Sequence, residues 1–239
     1  MTNTLITGAN RGLGLALVTA GLNRGETVFA GVRNPERADA LQALKASFES
    51  QLHVLQLDVN HEVDRQGAIA AISPHGALDL LIHNAGINSK SKGMAEGHVR
   101  FGTLTESALM SNVKTNAIAP LLLTQTLEPL LTKSKSAVVI AISSWFASLE
   151  ESHERDFNYS YSGSKTLLNM YFRLAGNTLK SKGITTLIVN PGWMQTDMGG
   201  GKATLTPETV AESIYTLEQK ADTTMAAQFF DWNGDRHPW

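Results

Sequence analysis

Residues 4–14 read TLITGANRGLG, and their reading decides the fold. Residues 4–7 form a short apolar run suited to a β-strand, and residues 13–23 carry apolar side chains at helical spacing. Between them stand Gly8, Gly12 and Gly14, which let the backbone turn tightly and come close to a ligand. The free N–H groups of a helix start, together with the helix dipole, favour a phosphate at such a turn. A glycine-rich turn without a ligand has the same composition. The position between a first strand and a first helix is what favours the phosphate.

The same alternation continues outward. Residues 27–32, 53–57, 78–83, 137–142, 185–189 and 228–232 read as strands. Residues 38–50, 63–73, 105–131, 159–182 and 207–219 read as helices. Pro120 marks a helix start or a kink, and Gly183 is placed to cap a helix C-terminus. Apolar strands alternating with helices imply a parallel sheet covered on both faces. The expected fold is a single Rossmann-type, doubly wound α/β domain over residues 1–239, with about seven strands. Ligands bind beyond the carboxyl ends of such strands, so the residues just after each strand matter most.

Composition narrows the function. The net charge of -2 argues against nucleic acid or an anionic membrane as partner. The absence of cysteine excludes disulfides, thiol catalysis and zinc-thiolate sites. No apolar run approaches the roughly 20 residues that span a bilayer. MTNTLITGAN has neither a basic n-region nor a long apolar stretch, so export is not expected and a cytoplasmic location is. His83 has no second histidine or carboxylate close in sequence, which leaves no metal site to name.

Residues 159–165 read YSYSGSK. On a helix, residues four apart share a face, so Lys165 partners Tyr161, whereas Tyr159 meets Gly163. A cation beside a phenol stabilises the phenolate, and such a tyrosine can exchange a proton with an alcohol or a carbonyl near neutral pH. The Y-x-x-x-K spacing also arises by chance on solvated helices. Its place after the fifth strand of a nucleotide-binding pattern favours chemistry.

The T-G-x-x-x-G-x-G turn, the N-A-G at 84–86, the Y-x-x-x-K pair and the P-G at 191–192 resemble the short-chain dehydrogenase/reductase family. LITGANRGLGL, PLLLTQTLEPLL, NPGWMQTDMGG and FFDWNGDRHPW are most similar to its sniffer/C-factor group. That group includes NADPH-dependent carbonyl reductases and a bacterial protein linked to cell-contact signalling. The resemblance implies a nucleotide turn at Gly8, Asn10, Arg11, Gly12, Leu13 and Gly14. Val32 fills the slot where NAD-preferring members carry Asp, and Arg33 follows. With Arg11 and no carboxylate there, NADPH/NADP is the expected cofactor; the bland alternative makes Arg33 a solvated residue and Arg11 a cap. Asp58 and Val59 would meet the adenine, and Asn84, Ala85 and Gly86 would wall the cofactor. His83 departs from the family's Asn and reads as a hydrogen-bonded structural residue.

The resemblance further implies a catalytic set of Asn116, Ser144, Tyr161 and Lys165. Ser144 would bond the substrate carbonyl, while Ser143 would bond backbone. Lys165 would lower the phenol and hold the cofactor ribose beside Tyr161. Asn116 would kink its helix and hold a relay water. Pro191 and Gly192 would lie against the nicotinamide and Thr196 would bond its carboxamide. Ser144, Trp145, Trp193, Met194 and Met198 would meet a small carbonyl or alcohol substrate, under a lid at Gly199, Gly200 and Gly201. The segment SLEESHERDFN at 148–158 is longer than usual by about four residues, a length judged against the resembling family, and is a candidate pocket rim. The expected activity is reversible NADPH-dependent reduction of a ketone or aldehyde. The rival is a nucleotide-binding sensor or signalling protein. Pairing through the helices at 105–131 and 159–182 is expected to give a homodimer or homotetramer.

Overall fold

The computed structural model describes residues 2–88 and 99–239. Seven parallel strands form one sheet in the order β3-β2-β1-β4-β5-β6-β7. They are β1 Asn3–Thr7, β2 Thr27–Val32, β3 Leu52–Gln56, β4 Leu80–His83, β5 Val138–Ile142, β6 Thr185–Asn190 and β7 Gln228–Asp231. The order reverses between β1 and β4, which pair through Thr4–Leu80, Leu5–Leu81 and Ile6–Ile82.

Neighbouring residues on a strand point to opposite faces, and the sheet is apolar on both. Ile6, Ile82 and Ile140 join one buried cluster with side chains of α1 (Gly12–Asn23) and α7 (Pro207–Gln219). Leu5, Leu81 and Val139 join the other with α3 (Glu62–Ile72), α5 (Ala119–Leu131) and α6 (Tyr159–Lys180). The other α-helices among the described residues are α2 (Asp39–Ser47) and α4 (Glu106–Val113). Among the described residues, no helix is long and apolar enough to cross a membrane.

Local chemistry sets the helix ends. Thr105 and Thr206 each accept a backbone N–H with the side chain, from Ala108 at 3.3 Å and Thr209 at 3.2 Å. Gly183, at φ 75°, follows α6, and the Ile184 N–H returns to the Leu179 carbonyl at 3.2 Å. The long helical stretch expected at 105–131 is interrupted: Lys114–Ile118 form a π-turn between α4 and α5. Pro120 falls in the first turn of α5.

Candidate active site

The carboxyl ends of the strands open into a cleft of about 1890 Å³. Its floor is the glycine turn. Gly8 stands at φ 66°, and a Cβ there would lie 2.9 Å from the Ala85 Cα. A Cβ on Gly14 would overlap the Gly8 carbonyl and lie 2.6 Å from Asn84 Nδ2. Asn84 locks this approach, because Nδ2 donates to the Thr7 and Gly8 carbonyls at 3.0 Å each. Thr7 Oγ1 in turn accepts the Asn84 and Ala85 N–H groups at 3.1 Å. We expect Gly14→Ala to cost about 1–3 kcal/mol through overpacking, lowering Tm by roughly 3–10 °C. Thermal unfolding with and without nucleotide checks this, and an unchanged Tm in both states would contradict it.

Asn10, Arg11, Gly12 and Leu13 line the cleft, as do Asp58 and Val59 beyond β3 and Ala85 and Gly86 beyond β4. The cationic wall is wider than expected. Arg33 lines the mouth together with Arg37, which sits on the one-turn helix Pro35–Arg37. Sequence reasoning passed over Arg37, although P-E-R directly after the second strand was visible. Arg11 is paired with Asp197 at 2.7 Å, both side chains well exposed, so an ion pair links the glycine turn to the loop after β6.

On the opposite wall, Tyr161 and Lys165 rise from the first two turns of α6. Burial pushes the Tyr161 phenol up, and a hydrogen bond with Ser144 works in the other direction. The expectation that Lys165 lowers the resting phenol is therefore corrected. Its Nζ lies 5.9 Å from the centre of the Tyr161 ring and donates to the Ile142 carbonyl at 2.7 Å, and this does not offset the desolvation. Lys165 is itself buried and is pulled down to about 8 for the same reason.

The two serines divide as expected in position and differently in partner. Ser144 caps the short helix Trp145–Ala147, accepts the Phe146 N–H at 3.2 Å and faces Tyr161. Ser143 Oγ donates to the Asn169 side chain at 2.5 Å, not to backbone. Asn116 lies in the π-turn, buried behind the cleft wall. Its Oδ1 accepts the Ile87 N–H at 2.8 Å, while Nδ2 donates to the Ile87 carbonyl and to Ser164 Oγ at 2.9 Å. The extra residue of a π-turn redirects one side chain out of the helical register, and here that side chain fastens the loop after β4. His83 points away from the cleft. It shares a 2.7 Å hydrogen bond with Thr124, packs on Phe172, and burial pulls it down to about 3.

Pro191, Gly192, Met194, Thr196 and Met198 line the cleft beyond β6. Trp193 closes this loop by donating from Nε1 to the Gly199 carbonyl at 2.8 Å, and Thr196 Oγ1 accepts the Gly199 N–H at 3.1 Å. Trp145 and Trp193 line the mouth with 38% and 50% of their surface exposed, so both are wall rather than core. Phe146 and Phe157 extend the aromatic wall, and Arg155 stacks over Trp145 and Phe146 at 4.8 and 4.9 Å. Of the segment at 148–158, Phe157 and Asn158 line the cleft, so it meets the pocket at its C-terminal end, while Arg155 packs on the aromatic wall.

Residues 2–204 match the family model for the short chain dehydrogenase. The chain belongs to the short chain dehydrogenase family. Within the family it is similar to the carbonyl reductase Sniffer of D. melanogaster, at 30% identity and a TM-score of 0.91 with all of each chain covered. It is also similar to the NADPH-bound carbonyl reductase from chicken fatty liver, at 31% identity and a TM-score of 0.89, covering 100% of this chain and 98% of that one. A third relative is the C-signal of Myxococcus xanthus, 30% identical over 69% of this chain and 94% of that protein. Short-chain dehydrogenases are oxidoreductases, and the likeness to Sniffer and C-signal agrees with the sniffer/C-factor resemblance read from the sequence.

Proposed function

We propose that residues 1–239 act as one reductase domain that converts a ketone or aldehyde to the alcohol with NADPH, and runs in reverse. The observation that carries this reading is the meeting of Ser144, Tyr161 and Lys165 in one cleft with the glycine turn. The residues fit the cofactor: Gly8, Gly12 and Gly14 line the cleft where α1 begins, and the α1 N-terminus, which has no side-chain cap, offers free N–H groups. Arg33 and Arg37, without a carboxylate at the end of β2, suit a 2′-phosphate. The nicotinamide, when bound, supplies the hydride. Ser144 donates a hydrogen bond to the substrate oxygen and orients it. Tyr161 gives that oxygen its proton. Lys165, protonated below about 8, provides the positive charge beside the phenolate as it forms. Asn116 holds the Ile87 backbone, and with it the loop in which Gly86 approaches Lys165. Trp145, Trp193, Met194 and Met198 exclude water from the substrate.

The likeness to C-signal favours a second reading, a nucleotide-dependent signalling protein whose turnover is incidental. The deciding experiment is oxidation of NADPH, with NADH in parallel, against ketones, aldehydes and diketones. Turnover with NADPH supports the reductase. Tight NADPH binding with no turnover supports the signalling protein. In the double variant Arg33→Ala/Arg37→Ala, NADPH affinity falls about 10- to 100-fold, the worth of lost charged hydrogen bonds, while NADH affinity changes little. Equal losses for both nucleotides would contradict the assigned role. A cytoplasmic location accompanies this reading. So does a homodimer or homotetramer pairing through the helices at 105–131 and 159–182, where Met110, Met170 and Leu174 are exposed; light scattering of the purified protein decides the latter.

A further inference from the structure

We propose that Asn190, oriented by Asp231 and His237, is the positioning residue that sets the substrate loop against the nicotinamide turn. The proposal rests on the reductase reading for its catalytic meaning and on geometry for the linkage itself. Asn190 is the last residue of β6, is buried, and lies opposite Asp231 of β7 in the sheet register. It does not line the cleft. Its Oδ1 accepts two backbone N–H groups, from Trp145 at 3.0 Å and from Gly192 at 3.2 Å. Trp145 directly follows Ser144, and Gly192 belongs to the turn after β6. One oxygen therefore fixes the spacing of the two loops between which the reaction takes place.

A carboxamide fits this task in only one orientation. Its NH₂ end cannot accept an N–H, so a flipped Asn190 would lose both bonds. Asp231 prevents the flip, because its Oδ1 takes the Asn190 Nδ2 donor at 2.7 Å. A carboxylate offers acceptors only, so the orientation is unambiguous. Asp231 is held in turn by His237 Nδ1 at 2.9 Å. His237 is buried against Phe229, its N–H bonds the Phe229 carbonyl at 3.0 Å, and Nε2 lies 3.6 Å from Glu151. Glu151 belongs to the segment at 148–158, and its neighbour Glu150 is bonded through its N–H to the Trp239 carbonyl at 2.9 Å. The stretch from residue 231 to residue 237 thus acts on the site from outside the cleft, through the hydrogen-bonded side chains of Asn190, Asp231 and His237 in series.

The test compares Asp231→Leu, Asp231→Asn and His237→Leu with the unaltered chain. Amide hydrogen exchange followed by NMR reads the linkage without cofactor or substrate, and kcat and KM read its effect on turnover. In Asp231→Leu we expect the Trp145 and Gly192 amides to exchange about tenfold faster or more, the equivalent of one lost hydrogen bond, while the Ile140 and Ile188 amides of the inner strands stay protected. We expect kcat to fall about tenfold with KM changed by less than about threefold, as for a group that aligns without binding. Asp231→Asn keeps an acceptor oxygen and should retain most of both properties. His237→Leu should show smaller effects in the same direction, and it carries the test if Asp231→Leu does not fold. Unchanged exchange at Trp145 and Gly192 overturns the proposal, as does faster exchange with unchanged kcat. An unaltered chain that turns over no carbonyl would instead refute the reductase reading, and exchange would still decide the linkage.

Discussion

Tyr161→Phe should lose about 10³-fold in turnover, within the range that a positioned acid or base contributes, while NADPH still binds. The substitution removes one hydroxyl and leaves the ring. The edge-to-face contact with Phe146, 6.0 Å between centres, is retained, and so is the first turn of α6. The phenol is the group placed against Ser144. Tyr159 cannot substitute, because it is 40% exposed and packs at a tilt against Phe101 outside the cleft. Steady-state reduction and the reverse oxidation should fall together, since the same proton is given and taken back. Turnover near that of the unaltered chain would remove Tyr161 from the mechanism.

Lys165→Met should cost about 100-fold in kcat, because the phenolate then forms in a buried site with no cation near it. Stability should change little. Met fills the volume of the stem, and removing a desolvated charge is favourable. Leaving the Ile142 carbonyl without its donor costs about 1–3 kcal/mol and works the other way. The pH profile separates this role from a structural one. The ammonium is present below about 8 and is lost as the pH rises through that value. Burial holds Tyr161 above its ordinary value, so the lysine loses its proton first. The rate of reduction should therefore decline above about pH 8 in the unaltered chain, and that decline should be missing in Lys165→Met. A Lys165→Met profile with the same alkaline limb would assign the limb to another group.

Much of this was legible in the sequence for definite reasons. Strands buried on both faces are apolar nearly throughout, and residues 28–32 and 138–142 are. The pairing of Tyr161 with Lys165 follows from helical spacing, and the glycine turn from its place after a strand. What the sequence concealed depends on distance along the chain or on solvation. The π-turn at Asn116 shares the apolar spacing of the helices on either side. Asn190 meets Trp145 and Asp231 across separations of 45 and 41 residues, which no local pattern records. The rise of the Tyr161 phenol is a matter of solvent exclusion, and spacing reports only the nearest charge.

The seam between β1 and β4 has a consequence for folding. Strands β1 to β3 are neighbours built from the first part of the chain, and β4 to β7 are neighbours built from the rest, so each group can assemble from consecutive units. Among the described residues, three pairs join them within the sheet: Thr4–Leu80, Leu5–Leu81 and Ile6–Ile82. Long-range parallel pairing is slow to form, and the cleft lies at the end of this join. A nucleotide seated there would touch the glycine turn of one half and the α6 tyrosine of the other, and would work as a clasp. At 100 times its Kd such a ligand adds about 2.7 kcal/mol to the folded state. On that account the chain should be most open to proteolysis when nucleotide is scarce, with its abundance following the supply of the molecule it binds.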